Sequence, residues 1–271
     1  MQFSTRAFKL TAAAVLCAGF LSAAAERAQA ALLSGVSILN ISNVVESSLD
    51  ALNMSQARSI LTGEGATITS VSTANFSAAS LVGIDILYVG MTNNSFTDAQ
   101  VETIRDYVDA GGGLVAVGTE RSSLSGPNWE EIANSFGLTG AGGDRAPQAA
   151  AAAPSSPIVS GPFGTATSYQ PAATGAFNTP LPAGATAVWN GADGKPIIVT
   201  LDVTGRAFFF ADTNFMQNGW IDGGDNKTIW GNAFAFTGRV DPGPTPVPAP
   251  AGLALLGVGL LGLGIMRRKT A

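Results

Sequence analysis

The stretch from Ile84 to Gly118 constrains the fold more than any other part of the chain. Its first part, IDILYVG, is a short apolar run with β-branched and aromatic residues, which is typical of a strand buried on both faces. Its last part, GLVAVG, has the same character, and an amphipathic segment lies between them. Two strands joined through a helix by short loops pair in parallel with a right-handed crossover. The stretch therefore predicts an α/β domain.

The helix between these two strands has a recognisable start and end. Thr97 is followed three residues later by Gln100, which is the spacing of a reciprocal capping box. Val101, Ile104 and Val108 recur at spacings of three and four on the face expected to pack on the sheet. Gly111 then ends the helix before the second strand begins.

Similar patterns elsewhere predict the remaining elements. Strands are expected at residues 36–41, 66–71, 185–189, 196–203 and 206–211, and helices at about 55–61, 128–136 and 225–237. Ser55 is the expected cap of the first helix, and residues 202–205 are the expected turn of a hairpin. Residues 139–157 read as a low-complexity loop, and residues 157–182 as one or two irregular strands. This order favours an α/β domain over residues 31–238, with a mostly parallel sheet and a β-rich C-terminal part. The strand at 36–41 is expected inside the sheet if the fold is doubly wound.

The composition excludes several kinds of catalytic site. The sequence contains no histidine, and its single cysteine, Cys17, lies in the leading apolar segment. Serine–histidine and cysteine–histidine triads are therefore excluded, as is a thiolate metal site in the body of the protein. No metal and no cofactor is expected.

The charge of the chain disfavours nucleic acid as a partner. The formal net charge is −5, and between residues 31 and 248 lie 8 of the 14 basic and 18 of the 19 acidic residues, so this part is near −10. An acidic body repels a polyphosphate backbone.

Residues 1–30 have the features of a secretory signal peptide. A basic start is followed by the apolar run LTAAAVLCAGFLSAAA and by the small-residue motif ending in Ala30. We expect export through the Sec machinery and cleavage by signal peptidase after Ala30. A buried core helix is the alternative interpretation.

The C-terminal end predicts a membrane segment behind a stiff linker. Residues 239–250 are rich in proline, which favours an extended spacer. Residues 251–266 are apolar and about 24 Å long as a helix, which is short for a bilayer. The basic residues that follow, Arg267 and Arg268, favour a cytoplasmic end and an anchor in the inner membrane.

This end resembles a known sorting signal. Val247, Pro248, Ala249 and Pro250, followed by a Gly/Leu-rich span and a basic tail, are similar to the PEP-CTERM signal over residues 247–271, which is also described as the ice-binding-protein C-terminal domain. Ala249 stands where the most familiar version has glutamate. The resemblance implies processing by an exosortase-type enzyme and delivery to the cell surface or exterior, often with exopolysaccharide. An uncut transmembrane anchor is the alternative.

The central domain resembles the class I glutamine-amidotransferase-like superfamily, in particular its ThuA-like branch, and this resemblance implies a flavodoxin-like, doubly wound fold. The likeness rests on IDILYVG, on FTDAQVETIRDYVDAGGGLVAVG and on RAFFFADTNFMQNGWIDGGDNKTIWGNAF. In catalytic members the glycine-rich strand ends at a sharp turn that bears a cysteine nucleophile, and a histidine follows later. This chain has Gly118, Thr119 and Glu120 at that turn, so the resemblance implies the fold without glutamine hydrolysis.

The ligand site of such a fold is expected beyond the carboxyl ends of the strands. The polar residues predicted to share this rim are Asn40, Asn93, Thr119, Glu120, Asp212 and Asn214. Hydroxyl, amide and carboxylate groups suit a polyhydroxyl ligand such as exopolysaccharide. The alternative is that these residues form turns and bond their own backbone. Eight of the 21 aromatic residues fall between positions 208 and 236, and Trp220, in a loop, is the one expected to stack on a sugar.

Two further hypotheses start from the carboxylates, one of a calcium site and one of a glycoside hydrolase. Asp212, Asp222, Asp225 and Asn226 form an oxygen-rich cluster of the kind that holds calcium, although helix capping by Asp225 also explains part of it. Glu120 and Asp212 would support glycoside hydrolysis if about 5 to 9 Å separated them. A third hypothesis is a membrane-tethered accessory subunit that docks a partner protein.

Overall fold

The domain is built on one sheet of seven strands. The computed structural model describes residues 31–42, 47–90, 96–118, 128–141, 150–171 and 174–240. The predicted signal peptide, most of the proline-rich linker and the predicted helix at 251–266 lie outside the described residues. Within the described ranges, no helix has the length and apolarity to cross a bilayer.

The strands lie in a flavodoxin-like order. They are β1 (Ser37–Ser42), β2 (Thr67–Ser72), β3 (Ile86–Val89), β4 (Gly113–Val117), β5 (Ala185–Asn190), β6 (Pro196–Asp202) and β7 (Arg206–Phe210). Their order across the sheet is β2-β1-β3-β4-β7-β6-β5, and the first five run in parallel. The prediction of a mostly parallel sheet with β1 inside it is confirmed. So is the antiparallel hairpin of β6 and β7, in which Asp202 pairs with Arg206.

Helices cover both faces of the sheet. They are α1 (Ser55–Gly63), α2 (Asp98–Asp109), α3 (Asn128–Ser135) and α4 (Asn226–Thr237). Along each strand, alternate residues enter two separate cores because successive side chains point to opposite faces. Phe208 and Phe210 pack in the core beneath α1 and α4, whereas Phe209 packs in the core beneath α2 and α3.

The capping box predicted for α2 is present. The backbone N–H of Gln100 donates to Thr97 Oγ1 at 3.3 Å, and the N–H of Thr97 donates to Gln100 Oε1 at 3.0 Å. Ile104 and Val108 are fully buried on the inner face, as their spacing predicts. Local sequence therefore suffices to define this helix.

The cap predicted for α1 is wrong. Met54 is the N-cap residue, and no side chain of the helix bonds its first turn. The Oδ1 atom of Asn218 instead accepts the backbone N–H of Gln56 at 3.0 Å, from a loop 162 positions further along the chain. The first turn of α1 is therefore stabilised by a tertiary contact.

Most residues of helix α4 are buried in the domain. Ile229, Ala233 and Phe236 are buried, as predicted, but so is every other apolar residue of the helix. Asn226 and Asn232 are also fully buried. From Ile229 to Thr237 every residue of the helix is buried, so this part has no amphipathic pattern that would show its depth.

Short strands of two residues lie between α3 and β5 in the chain. Ser160–Gly161 pairs with Gly164–Thr165, and Gly140–Ala141 pairs with Ala176–Phe177. In the described part of residues 157–182, where one or two irregular strands are predicted, there are three strand segments of two residues. Residues 142–149 of the predicted low-complexity loop lie outside the described residues.

Candidate ligand site

Of the seven predicted ligand-binding residues, four lie in the described part of the chain: the rim residues Asn40, Asp212 and Asn214, and the loop residue Trp220. Asn93, Thr119 and Glu120 lie outside it. The predicted pair of Glu120 and Asp212 therefore has no described geometry. The four described residues differ in exposure, and this difference decides what each can contact.

Asn40 is buried and holds a loop in place. Its Nδ2 atom donates to Asp50 Oδ2 and to Ser70 Oγ, both at 3.0 Å. Its Oδ1 atom accepts the backbone N–H of Leu49 at 3.1 Å. The side chain has no exposed surface, so its amide serves the connection between β1 and α1 rather than a ligand.

Asp212 is also buried, with an exposed fraction of 0%. Its Oδ2 atom accepts the hydroxyl of Tyr169 at 2.6 Å. Its Oδ1 atom accepts the backbone N–H groups of Asn214 at 2.8 Å and Phe215 at 3.3 Å. A carboxyl that bonds the backbone two residues ahead forms an Asx-turn, which is the turn-forming role weighed for these residues as the alternative.

Asn40 and Asp212 do not share one site. Asn40 lies in β1 and Asp212 follows β7, and two strands, β3 and β4, separate them in the sheet. Three strand spacings correspond to about 14 Å. These two polar side chains therefore lie far apart on the sheet, and no single small ligand bridges them.

Trp220 is the exception among the C-terminal aromatic residues. The other seven between positions 208 and 236 are buried, as the sequence predicts for most of them, whereas Trp220 is 36% exposed. The loop that carries Trp220 is held by the first residue of α4, because Asn226 Nδ2 donates to the carbonyl of Trp220 at 3.0 Å. An anchored, partly exposed indole is available for contact with a ligand.

The acidic residues of the candidate calcium cluster have protein partners. Asp225 Oδ2 accepts the backbone N–H groups of Thr167 at 2.7 Å and Ser168 at 2.9 Å, together with both hydroxyls. These bonds, that from the Thr167 N–H first, hold the pKa of the Asp225 carboxyl below its usual value against a smaller opposing effect of burial. Asp225 is the N-cap residue of α4, as predicted, but its carboxylate bonds this loop and makes no cap bond to the helix.

Asp222 and Asn226 are engaged elsewhere. Asp222 forms an ion pair with Lys227 on the surface. The Asn226 side chain is buried and bonds the backbone of Gln170 at both ends, accepting at 3.1 Å and donating at 2.9 Å. Across the described residues, no three acidic, histidine or cysteine side chains are grouped as a metal site would require.

A groove that the sequence analysis missed runs along α1 and the start of α4. One part of this α1–α4 groove has a volume of about 410 Å³ and is lined by Ser55, Gln56, Ser59, Ile60 and Lys227. The adjoining part, of about 340 Å³, shares Ser59, Ile60 and Lys227 and adds Gly63, Glu64, Phe163 and Thr228. Nothing in the local sequence of α1 marks it, because exposed serine and glutamine on a helix are typical of any solvated face.

Comparison with known proteins yields matches of structure only. No family model matches the chain, and no curated protein matches it. Among solved structures, the N-terminal domain of mmIFT52 superimposes with a TM-score of 0.62 at 15% identity, over 74% of this chain and 96% of that one.

Two ThuA-like proteins also match. A putative ThuA-like protein from Bacteroides uniformis has a TM-score of 0.52 at 14% identity, over 75% of this chain and 91% of that one. One from Parabacteroides merdae has a TM-score of 0.50 at 13% identity, over 79% and 92%. At these identities the likeness concerns the fold alone. We conclude that the mostly parallel α/β sheet of this chain and its covering helices form a ThuA-like fold.

Proposed function

We propose that this protein is an exported, non-catalytic protein of the cell surface that binds a component of the envelope or exopolysaccharide. Its C-terminal signal is processed by an exosortase-type enzyme after transfer across the inner membrane. The α/β domain is the part that remains outside and makes the contact.

The observation that carries the non-catalytic part is the burial of Asp212. Among the residues predicted for chemistry, it is the one carboxyl whose surroundings the structure describes. Both of its oxygens accept hydrogen bonds from within the domain, and none of its surface is exposed. A general acid or nucleophile must reach the substrate, and this carboxyl is enclosed. The absence of histidine supports the same proposal.

The two ends of the sequence support the export and sorting part. A basic, apolar and small-residue leader precedes the domain, and a proline motif, apolar span and basic tail follow it. The acidic body between them suits a protein kept in solution outside a membrane.

Mass spectrometry of the protein from fractionated cells tests the sorting. We expect surface or medium protein that begins at Ala31 and ends near Pro248. An intact chain from Met1 to Ala271 in the cytosol would contradict export. A surface protein that still carries Ala271 would instead support an uncut anchor.

Incubation with exopolysaccharide from the producing cells tests the absence of catalysis. We expect co-sedimentation of the mature protein with the polymer and no new reducing ends. Release of reducing ends that disappears in Glu120→Gln would overturn the proposal in favour of a carboxylate-dependent hydrolase.

A further inference from the structure

We propose that the α1–α4 groove is the glycan-binding site and that it takes a neutral hexose polymer. This inference rests on the proposed function and adds the place and the chemical class of ligand. It moves the site from the carboxyl-end rim to the side of the domain.

The groove has an aromatic platform that is built into the domain. Phe163 lies with its ring against Gly231 of α4, where a β-carbon would collide with the ring. Its backbone N–H donates to Oδ1 of the buried Asn232 at 2.9 Å. Asn232 Nδ2 donates to the carbonyls of Ile158 and Gly164, both at 3.1 Å. The ring is therefore held from behind, and its partly exposed surface lines the groove.

The groups around the platform match the surface of a sugar. Ser59 and Gln56 are exposed on α1, and the half-buried Thr228 lies opposite on α4. Hydroxyl and amide groups both donate and accept hydrogen bonds, as sugar hydroxyls do. Ile60 and Phe163 supply apolar surface for the C–H face of a pyranose ring. Ligand sites characteristically combine such apolar surface with a few polar groups.

The loop that bears a second exposed aromatic residue, Trp220, contacts the Ser55 end of the groove. Asn218 donates through Nδ2 to Ser55 Oγ at 3.0 Å, which joins the loop bearing Trp220 to the Ser55 end of the groove. Helix α1 has nine residues, so it is about 13 Å long. This length suits a short stretch of a linear polysaccharide.

The charges favour a neutral polymer over an acidic one. Lys227, the cation that lines the groove, forms an ion pair with Asp222. Glu64, at the far end, accepts the backbone N–H of Leu32 at 2.9 Å. The segment between leader and tail is near −10 in formal charge, so a polyanionic glycan is repelled before it arrives.

A matched pair of tryptophan substitutions on α1 tests this site. Ser59 lines the groove, whereas Thr62 is exposed on the same helix three residues away and does not line it. The full chain and its Ser59→Trp and Thr62→Trp variants are expressed in the native host. The mature proteins are then mixed with neutral and acidic exopolysaccharide fractions separated by ion exchange, and binding is measured by co-sedimentation. Gln56→Ala provides a second groove variant, and thermal denaturation verifies that each variant is folded.

We expect wild type and Thr62→Trp to bind the neutral fraction equally, and Ser59→Trp to bind about tenfold more weakly. Wild-type binding by both Ser59→Trp and Gln56→Ala would overturn the groove while leaving polysaccharide binding intact. Binding to the acidic fraction alone would overturn the neutral ligand. Absence of wild-type binding to either fraction would overturn the polysaccharide part of the proposed function, and this inference with it.

Discussion

The hydroxyl of Tyr169 donates to Oδ2 of Asp212 at 2.6 Å, and this bond joins the irregular segment after α3 to the end of β7. Both residues lie in the interior, and the Tyr169 ring packs edge-on against Phe210 and Phe215. The pair holds two distant segments of the domain together. The pair therefore has a structural role, and loss of its hydrogen bond should lower the stability of the domain.

Tyr169→Phe keeps the ring and removes the hydroxyl. We expect a loss of about 1.5 to 3 kcal/mol in the free energy of unfolding, the usual size for a hydrogen bond to a carboxylate in a buried site. Urea denaturation measures the change, and polysaccharide binding should stay the same. A loss of binding at unchanged stability would show instead that this pair contacts the ligand.

Asn218→Ala should destabilise α1 from a distance. The substitution removes the acceptor for the Gln56 N–H and the donor to the carbonyl of Leu52, so we expect a cost of about 1 to 2 kcal/mol. The neighbouring Gln217→Ala is the control, since Gln217 contributes backbone bonds to this loop. Equal denaturation midpoints for the two variants would contradict the capping role.

Gly231→Ala and Gly63→Ala should change stability in opposite directions. Alanine in a helix is favoured over glycine by about 1 kcal/mol, and at Gly63 the added β-carbon meets open space. At Gly231 it collides with the ring of Phe163, so we expect a net cost of about 1 to 3 kcal/mol. Thermal denaturation of both variants shows whether each substitution raises or lowers stability relative to wild type. A more stable Gly231→Ala would show that Phe163 does not rest on α4.

The bonds to Asp225 should make stability depend on pH in the acid range. Because its pKa is lower in the folded than in the unfolded state, its contribution is present above the unfolded value of about 4 and is lost as pH falls through the folded pKa. Asp225→Asn should therefore cost stability at pH 7, and the gap to wild type should narrow towards pH 3. Denaturation in urea at several pH values measures this gap. A gap that widens on acidification would contradict the direction of the shift.

Much of the fold is predictable because its signals are local. Short, mainly apolar runs define β1 and β4, and the Thr97–Gln100 box defines the start of α2 without help from elsewhere. The order of these elements along the chain restricts the sheet to few topologies, since parallel crossovers have one hand. Local signals are confirmed for α2 and for the hairpin of β6 and β7, whereas the cap predicted at Ser55 is wrong because the first turn of α1 finds its partner in a distant loop.

The candidate site was predictable only in part, because side-chain partners are set by the folded chain. Asn218 caps a helix 162 positions away, and the carboxylate of Asp225 bonds a loop 58 positions away instead of its own helix. Local patterns contain no trace of either contact. The polar character of the domain's surface and its lack of histidine were evident from the residues alone.

The sequence by itself determined the fold class, the acidic body and the exclusion of imidazole and thiolate chemistry, since these depend on residue types and on short-range periodicity. Only the tertiary structure decided that Asn40 and Asp212 are buried and that Phe163, Ser59 and Lys227 line one groove. The physical reason is that burial and proximity arise when segments far apart in the chain pack together, and a linear pattern does not record which of its polar groups will find a partner.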